Sequence, residues 1–140
     1  MRVRRVVRDM SYTIASWNVN SVKARAEHVK TFLADTQPDV LFLQELKGEN
    51  FPDLDTGYHV TYVGQKTYNG VAILSKTPVT SIATHLPGDD MDSQARYIEA
   101  DWNGLRLINI YLPNGNPIDT EKFDYKLAWM QRLCTHLASL

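Results

Sequence analysis

A chain of 140 residues, 44% hydrophobic and 22% charged, has the size and composition of one globular domain, which excludes a disordered or collagen-like polypeptide. No apolar run approaches the ~20 residues of a membrane span, and the single cysteine, Cys134, cannot form an internal disulfide, so a reducing, cytoplasmic setting is expected. The net charge of −1 is unevenly spread: Arg2, Arg4, Arg5, Arg8 and Asp9 give the first ten residues +3, leaving −4 for the other 130. Residues 1–11 therefore read as a basic extension, with Met10 a second candidate start and the domain occupying residues 12–140.

Residues 12–17 (YTIASW) are β-rich and predict a strand. Ser21 follows as a candidate cap for a helix over 23–35, where Val22, Ala26, Val29 and Leu33 share one face. Pro38 closes that segment, since proline disfavours helix at the residue before it. Residues 39–45 (DVLFLQE) carry four consecutive apolar side chains, the mark of a strand covered on both faces. Strand, helix, strand predicts a parallel pair.

Residues 59–63 and 71–75 predict two further strands, separated by the turn signal Asn69-Gly70, and 78–86 offers another. An acidic loop, 87–94, holds Asp89, Asp90 and Asp92. Residues 96–102 and 105–111 flank Asn103-Gly104, the clearest hairpin signal in the chain. After a loop at 112–117, a final helix starts near Asp119 or Thr120, with Phe123, Leu127, Met130, Leu133 and Leu137 as its apolar stripe. Helices on a mixed sheet give an α/β domain.

In open sheets of this kind ligands sit beyond the carboxyl ends of the strands. That rule singles out Asn18, Glu45 and Tyr111, each ending a predicted strand. A carboxylate ending a buried run must be paired, hydrogen-bonded or bound to a cation. Mg²⁺ suits such a site, because it needs only one or two carboxylates and keeps its waters; an ion pair with Lys47 is the competing explanation. Asn18 and Asn114 serve equally as turn residues, and Tyr111 as a core residue with its hydroxyl at a rim. The four histidines are scattered, the aspartate run fits no calcium loop, and neither a P-loop nor a dinucleotide fingerprint occurs.

Five blocks then occur in order: SWNVNS, PDVLFLQELK, YNGVAILSK, LPGDDMDSQARYIEA and INIYLPNG. Together they resemble the amino-terminal half of the exonuclease III and AP endonuclease branch of the endonuclease/exonuclease/phosphatase superfamily. The resemblance implies half of a four-layer α/β sandwich, a mixed sheet with outer helices. It implies a divalent-metal phosphodiesterase that cuts double-stranded DNA at abasic sites and trims 3′ ends, using Mg²⁺ or Mn²⁺. In a bacterial cell such an enzyme would work at the nucleoid. By the same resemblance Glu45 and Asn18 belong to the metal site and Tyr111 is a catalytic residue at the scissile phosphate. Asn20, Lys23, Tyr68, Arg96 and Asn114 match positions facing the metal's outer shell, the DNA backbone or the rim. Leu46 departs from the family's usual threonine.

The resemblance also implies a water-activating aspartate in a G-D-x-N block and a histidine in a terminal S-D-H, and neither block occurs in the 140 residues. A truncated nuclease is therefore expected, with one apolar sheet face left open for a missing carboxyl-terminal half or a second copy. Two other readings are an inactive DNA- or partner-binding fragment and a phosphatase of the wider superfamily.

Overall fold

The computed structural model describes residues 11–140; the expected basic extension, apart from Ser11, lies outside the described residues. The elements run β1 (Ile14–Asn18), α1 (Ala26–Thr36), β2 (Val40–Gln44), β3 (His59–Val63), β4 (Val71–Ser75), β5 (Thr80–Ala83), β6 (Tyr97–Trp102), β7 (Leu105–Ile110) and α2 (Glu121–Ala138). Every predicted element is present, though β5 is much shorter than 78–86 and ends in a register shift between Ser81 and Ala83. Ser21 does cap, its Oγ accepting the Ala24 N–H at 3.2 Å. The cap closes a turn over residues 22–25, and regular helix starts only at Ala26. At the other end Gln37 takes a left-handed conformation and returns its N–H to the Leu33 carbonyl, directly before Pro38.

The strands form two sheets. The first has the order β1-β2-β4-β3, the second β5-β6-β7. β1 and β2 are parallel, as the crossover helix requires, and all other pairs are antiparallel. Asn103 and Gly104 both have positive φ, 47° and 79°, which is what a two-residue hairpin turn demands.

Alternation along the strands sorts side chains into layers. On one face of the first sheet Leu41, Leu43, Ala72 and Leu74 meet Val29 and Leu33 of α1. On its other face Val40, Val71 and Ile73 pack on Ile98, Ala100, Trp102 and Leu107 of the second sheet. The outer face of that sheet offers Tyr97, which packs with Leu86 and with Trp129 of α2. The order is thus helix, sheet, sheet, helix. This corrects the expected open face: β6 and β7 fold over the first sheet and cover it.

The face of α2 is a second correction. Leu127, Met130 and Leu137, assigned to the core stripe, are 51%, 40% and 47% exposed, whereas Trp129 is 1% exposed. The buried side is Tyr125, Trp129 and Leu133, at four-residue steps. Two apolar rows compete on this helix, and the larger aromatic side chains remove more surface from water.

One buried polar side chain fastens the sheets together. Asn109 of β7, 2% exposed, reaches across the interface and donates its Nδ2 to the Leu43 and Ala72 carbonyls at 2.9 and 2.8 Å. Its Oδ1 accepts from Gln44 Nε2 at 2.8 Å, and Gln44 also donates to Ser16 Oγ at 3.0 Å. The staple lies at the carboxyl end of β2, one residue before Glu45.

Candidate active site

Because β1 and β2 are parallel, both end on the same side, where β4 and β6 begin. The chain leaves β1 through Asn20 and Ser21 at φ 46° and 86°, and leaves β2 through Glu45 and Lys47 at φ 57° and 55°. Four non-glycine residues in this region are strained by ~1–3 kcal/mol each. A ladder past the strand ends holds them: Ser21 N–H to the Glu45 carbonyl at 2.8 Å, Val22 N–H to Leu46 at 3.2 Å, and Lys47 N–H to Asn69 at 2.9 Å. Gly70 completes it, with φ +95° and a backbone so near Leu46 that a Cβ would lie 2.8 Å from the Leu46 Cβ. Leu46 is 2% exposed and belongs to the core under α1. An apolar side chain at this departure from the family's usual residue is therefore accommodated by packing.

These strand ends border a cleft of about 660 Å³ whose walls include Glu45, Lys47, Tyr68, Arg96, Tyr111 and Asn114. Five of the eight residues singled out in the sequence thus meet at one cavity. Asn18 and Asn20 are exposed at the end of β1, beside the cleft rather than in its lining, and Lys23 is exposed in the turn before α1. Asn18 pairs in register with Gln44, the residue before Glu45, and its Oδ1 accepts the Asn20 N–H at 3.2 Å.

The competing ion pair exists as well. Lys47 Nζ is 3.9 Å from Glu45 Oε1, and it also hydrogen-bonds Asn20 Oδ1. At that separation the ammonium balances the carboxylate without filling the cleft. The oxygens at these strand ends that could serve a cation are the Glu45 carboxylate and, in exchange for the Asn20 N–H and Lys47 ammonium bonds they now accept, the amide oxygens of Asn18 and Asn20. One carboxylate with amide oxygens open to water suits a hard cation that keeps most of its hydration. Among the described residues no group of three His, Cys, Asp or Glu side chains converges.

Tyr111 and Arg96 line the cleft with Glu45. Burial, then the neighbouring Glu45 charge and a hydrogen bond to Glu45, push the Tyr111 phenol up from its ordinary value. Arg96 lies 4.9 Å from the centre of the Tyr111 ring. It donates Nε to Gln94 Oε1 at 2.7 Å and Nη1 to the Tyr111 carbonyl at 3.2 Å. Arg96 is therefore largely committed to the protein itself. The acidic loop is internally used too, since Asp92 pairs with Arg132 at 2.8 Å.

Gln65, Gln94 and Tyr125 also line the cleft, and sequence reading missed all three. Gln65 Oε1 takes the Ala95 N–H and the Asn69 amide, both at 3.0 Å, tying two rim loops together. Nothing in local pattern distinguishes such a glutamine from a solvated one. Tyr125 carried a fainter signal, as an aromatic residue in the first turns of a helix that follows a predicted site loop.

Comparison with known proteins bears on the family and the fold. Residues 15–138 match the Endonuclease/Exonuclease/phosphatase family. Exodeoxyribonuclease III of Haemophilus influenzae is 40% identical over 109 residues, covering 71% of this chain and 41% of that protein. The structure of the 3′ phosphatase NExo from Neisseria, bound to a product DNA hairpin, superposes with a TM-score of 0.85 at 43% identity, over 88% of this chain and 50% of that one. An AP endonuclease from Archaeoglobus fulgidus gives 0.83 at 41% identity, over 88% and 49%. The chain spans half or less of the length of these relatives. On sequence and layered fold together, the chain belongs to the endonuclease/exonuclease/phosphatase family.

Proposed function

We propose that the chain supplies the metal-binding half of a DNA-repair phosphodiesterase of the exodeoxyribonuclease III and AP endonuclease type. The observation that carries this reading is the convergence of Glu45, Tyr111, Arg96 and Asn114 on one cleft at the strand ends. The relatives' names support the substrate: they are exodeoxyribonuclease III, an AP endonuclease, and a 3′ phosphatase solved with DNA. The substrate is duplex DNA, cut at abasic sites or trimmed at 3′ ends.

Glu45 holds a divalent cation, Mg²⁺ or Mn²⁺, with amide oxygens from Asn18 and Asn20 beside it. The cation, when bound, offsets charge on the phosphate. Tyr111 stays a neutral phenol and donates its O–H to a phosphate oxygen, a role its raised pKa suits. Lys47 and Arg96 give the cleft positive charge, and Lys23 and Asn114 meet the DNA backbone. Tyr68, 66% exposed at the rim, offers a flat face to a base or sugar. Activation of water falls to groups beyond these 140 residues. Positioned acid–base help is worth ~10²–10⁴-fold, so the chain alone binds well and turns over poorly.

The test is Mn²⁺ titration by calorimetry, with and without a duplex carrying an abasic-site analogue, on the native chain and Glu45→Gln. Native binding that disappears in the variant supports the reading. Metal binding or cleavage that survives Glu45→Gln overturns the metal assignment, and efficient turnover by the native chain alone overturns the half-site reading. Binding of DNA without any metal dependence would favour a non-catalytic DNA-binding role.

A further inference from the structure

Glu121, Lys122 and Tyr125 bring the start of α2 to the cleft, and of these Tyr125 also belongs to the helix face that covers the second sheet. Its ring centre lies 5.7 Å from the Arg96 guanidinium carbon, and the Tyr111 ring lies 4.9 Å from the same carbon. Both are within reach of a cation–π contact. The Tyr125 hydroxyl donates to Asp92 Oδ2 at 2.9 Å. Arg132, two turns further along α2, donates Nη1 to that same oxygen at 2.8 Å, and Nη2 to the Leu86 carbonyl at 2.6 Å.

The path closes on Arg96 from a second direction. Asp92 Oδ1 accepts the Gln94 N–H at 3.0 Å, and Gln94 Oε1 accepts Arg96 Nε at 2.7 Å. Asp92 and Arg132 side chains are only 7% and 14% exposed, so little water competes for this pair. Gly88, at φ +108°, lets the loop lie against Arg132, where a Cβ would meet Arg132 Cγ at 3.2 Å. Hydrogen bonds and ring contacts thus run from α2 to Arg96 and on to the Tyr111 carbonyl.

We propose that the Tyr125 ring, carried by α2 against Arg96, is a positioning group that sets the Arg96 guanidinium, and through it Tyr111, so that α2 is part of the site. The inference rests on the phosphodiesterase reading of the cleft. Its alternative is a plain staple, in which Asp92, Arg132 and Tyr125 only hold loop 86–92 on the helix. The two differ in what the ring does. A positioning ring acts on Arg96 through its face, and phenylalanine preserves that face. A staple acts through the hydroxyl, which phenylalanine lacks.

The experiment compares the native chain with Tyr125→Leu and Tyr125→Phe. Its first measurement is the NMR signal of the Arg96 Nε–Hε group, which two ring faces displace upfield. The expected result is loss of much of that displacement in Tyr125→Leu and its retention in Tyr125→Phe, read at a temperature where unfolding midpoints show each variant to be folded. Affinity for a short abasic duplex should fall about fivefold in Tyr125→Leu and return to within about twofold in Tyr125→Phe, the scale of one cation–π contact. Should Tyr125→Leu not fold, Tyr125→His, with a smaller ring, should show a partial loss in the same direction. An Arg96 signal unmoved by removal of the ring overturns the proposal, as does equal loss of affinity in both variants, which marks a staple. If no variant and not even the native chain binds DNA, the phosphodiesterase reading fails, while the Arg96 signal still decides the positioning claim.

Discussion

Replacing Asn109 with leucine, a side chain of similar shape and no polarity, should destabilise the chain by about 2–4 kcal/mol. Asn109 donates to two carbonyls, Leu43 and Ala72, which face each other across the β2–β4 pair. It also accepts from Gln44. Leucine removes both donors and the acceptor at a position only 2% exposed, so water cannot replace them. A buried polar group left without its partner costs ~1–3 kcal/mol. Gln44 keeps its bond to Ser16 and so loses less, and leucine regains a part through its apolar surface. Asn109→Asp should be worse, because it turns the two donated bonds into a carboxylate pressed against two carbonyl oxygens. The assay is urea unfolding followed by tryptophan fluorescence, with Trp102 and Trp129 buried in different layers. With m near ~2 kcal/mol/M, the leucine variant should unfold at a midpoint lower by about 1–2 M. A shift below ~0.5 kcal/mol, or an aspartate variant more stable than the leucine one, would refute the idea that this amide fastens the two sheets.

Gly70→Ala should cost about 2–4 kcal/mol, combining a left-handed backbone with intrusion on Leu46, and Leu46→Ala in the same chain should recover part of it in a double-mutant cycle. Acid should loosen α2. Burial raises the Glu99 carboxyl, but hydrogen bonds from Tyr97, His136 and Arg106 outweigh it and hold the group below its ordinary 4.5; Asp92 is likewise held below 3.8, where Arg132, the Gln94 N–H and Tyr125 outweigh its burial. A depressed carboxyl contributes stability that is full above its unfolded pKa and is lost as pH falls through the folded one. Unfolding midpoints should therefore drop below about pH 4.5, and the drop should be shallower in Glu99→Gln; identical profiles would contradict this. On α2, Leu127→Gln should change stability by no more than ~0.5 kcal/mol, while Trp129→Ala should cost ~3–5 kcal/mol. Equal effects in thermal melts would show that the helix packs by its other row.

Local pattern sufficed wherever a feature depends on neighbours in the chain. The hairpin at Asn103-Gly104, the helix face of Val29 and Leu33, the parallel pairing of β1 with β2, and the strand-end placement of Glu45 and Tyr111 all follow from spacing and residue type. Reading the ordered blocks also led to the family, since five of them in register carry far more information than any single motif. Tertiary structure decided the remainder. Apolar alternation states that a strand has a buried face but not which sheet it joins, so the fold of β6 and β7 over the first sheet was invisible beforehand. On α2 two apolar rows were available, and only the shape of the surface around Tyr97 and Leu86 selects Trp129 over Leu127. The roles of Asn109, Gln65 and Tyr125 rest on partners 30 or more residues away, and separation along the chain leaves no mark in local composition. Hydrogen-bond geometry across such distances exists only once the layers have packed.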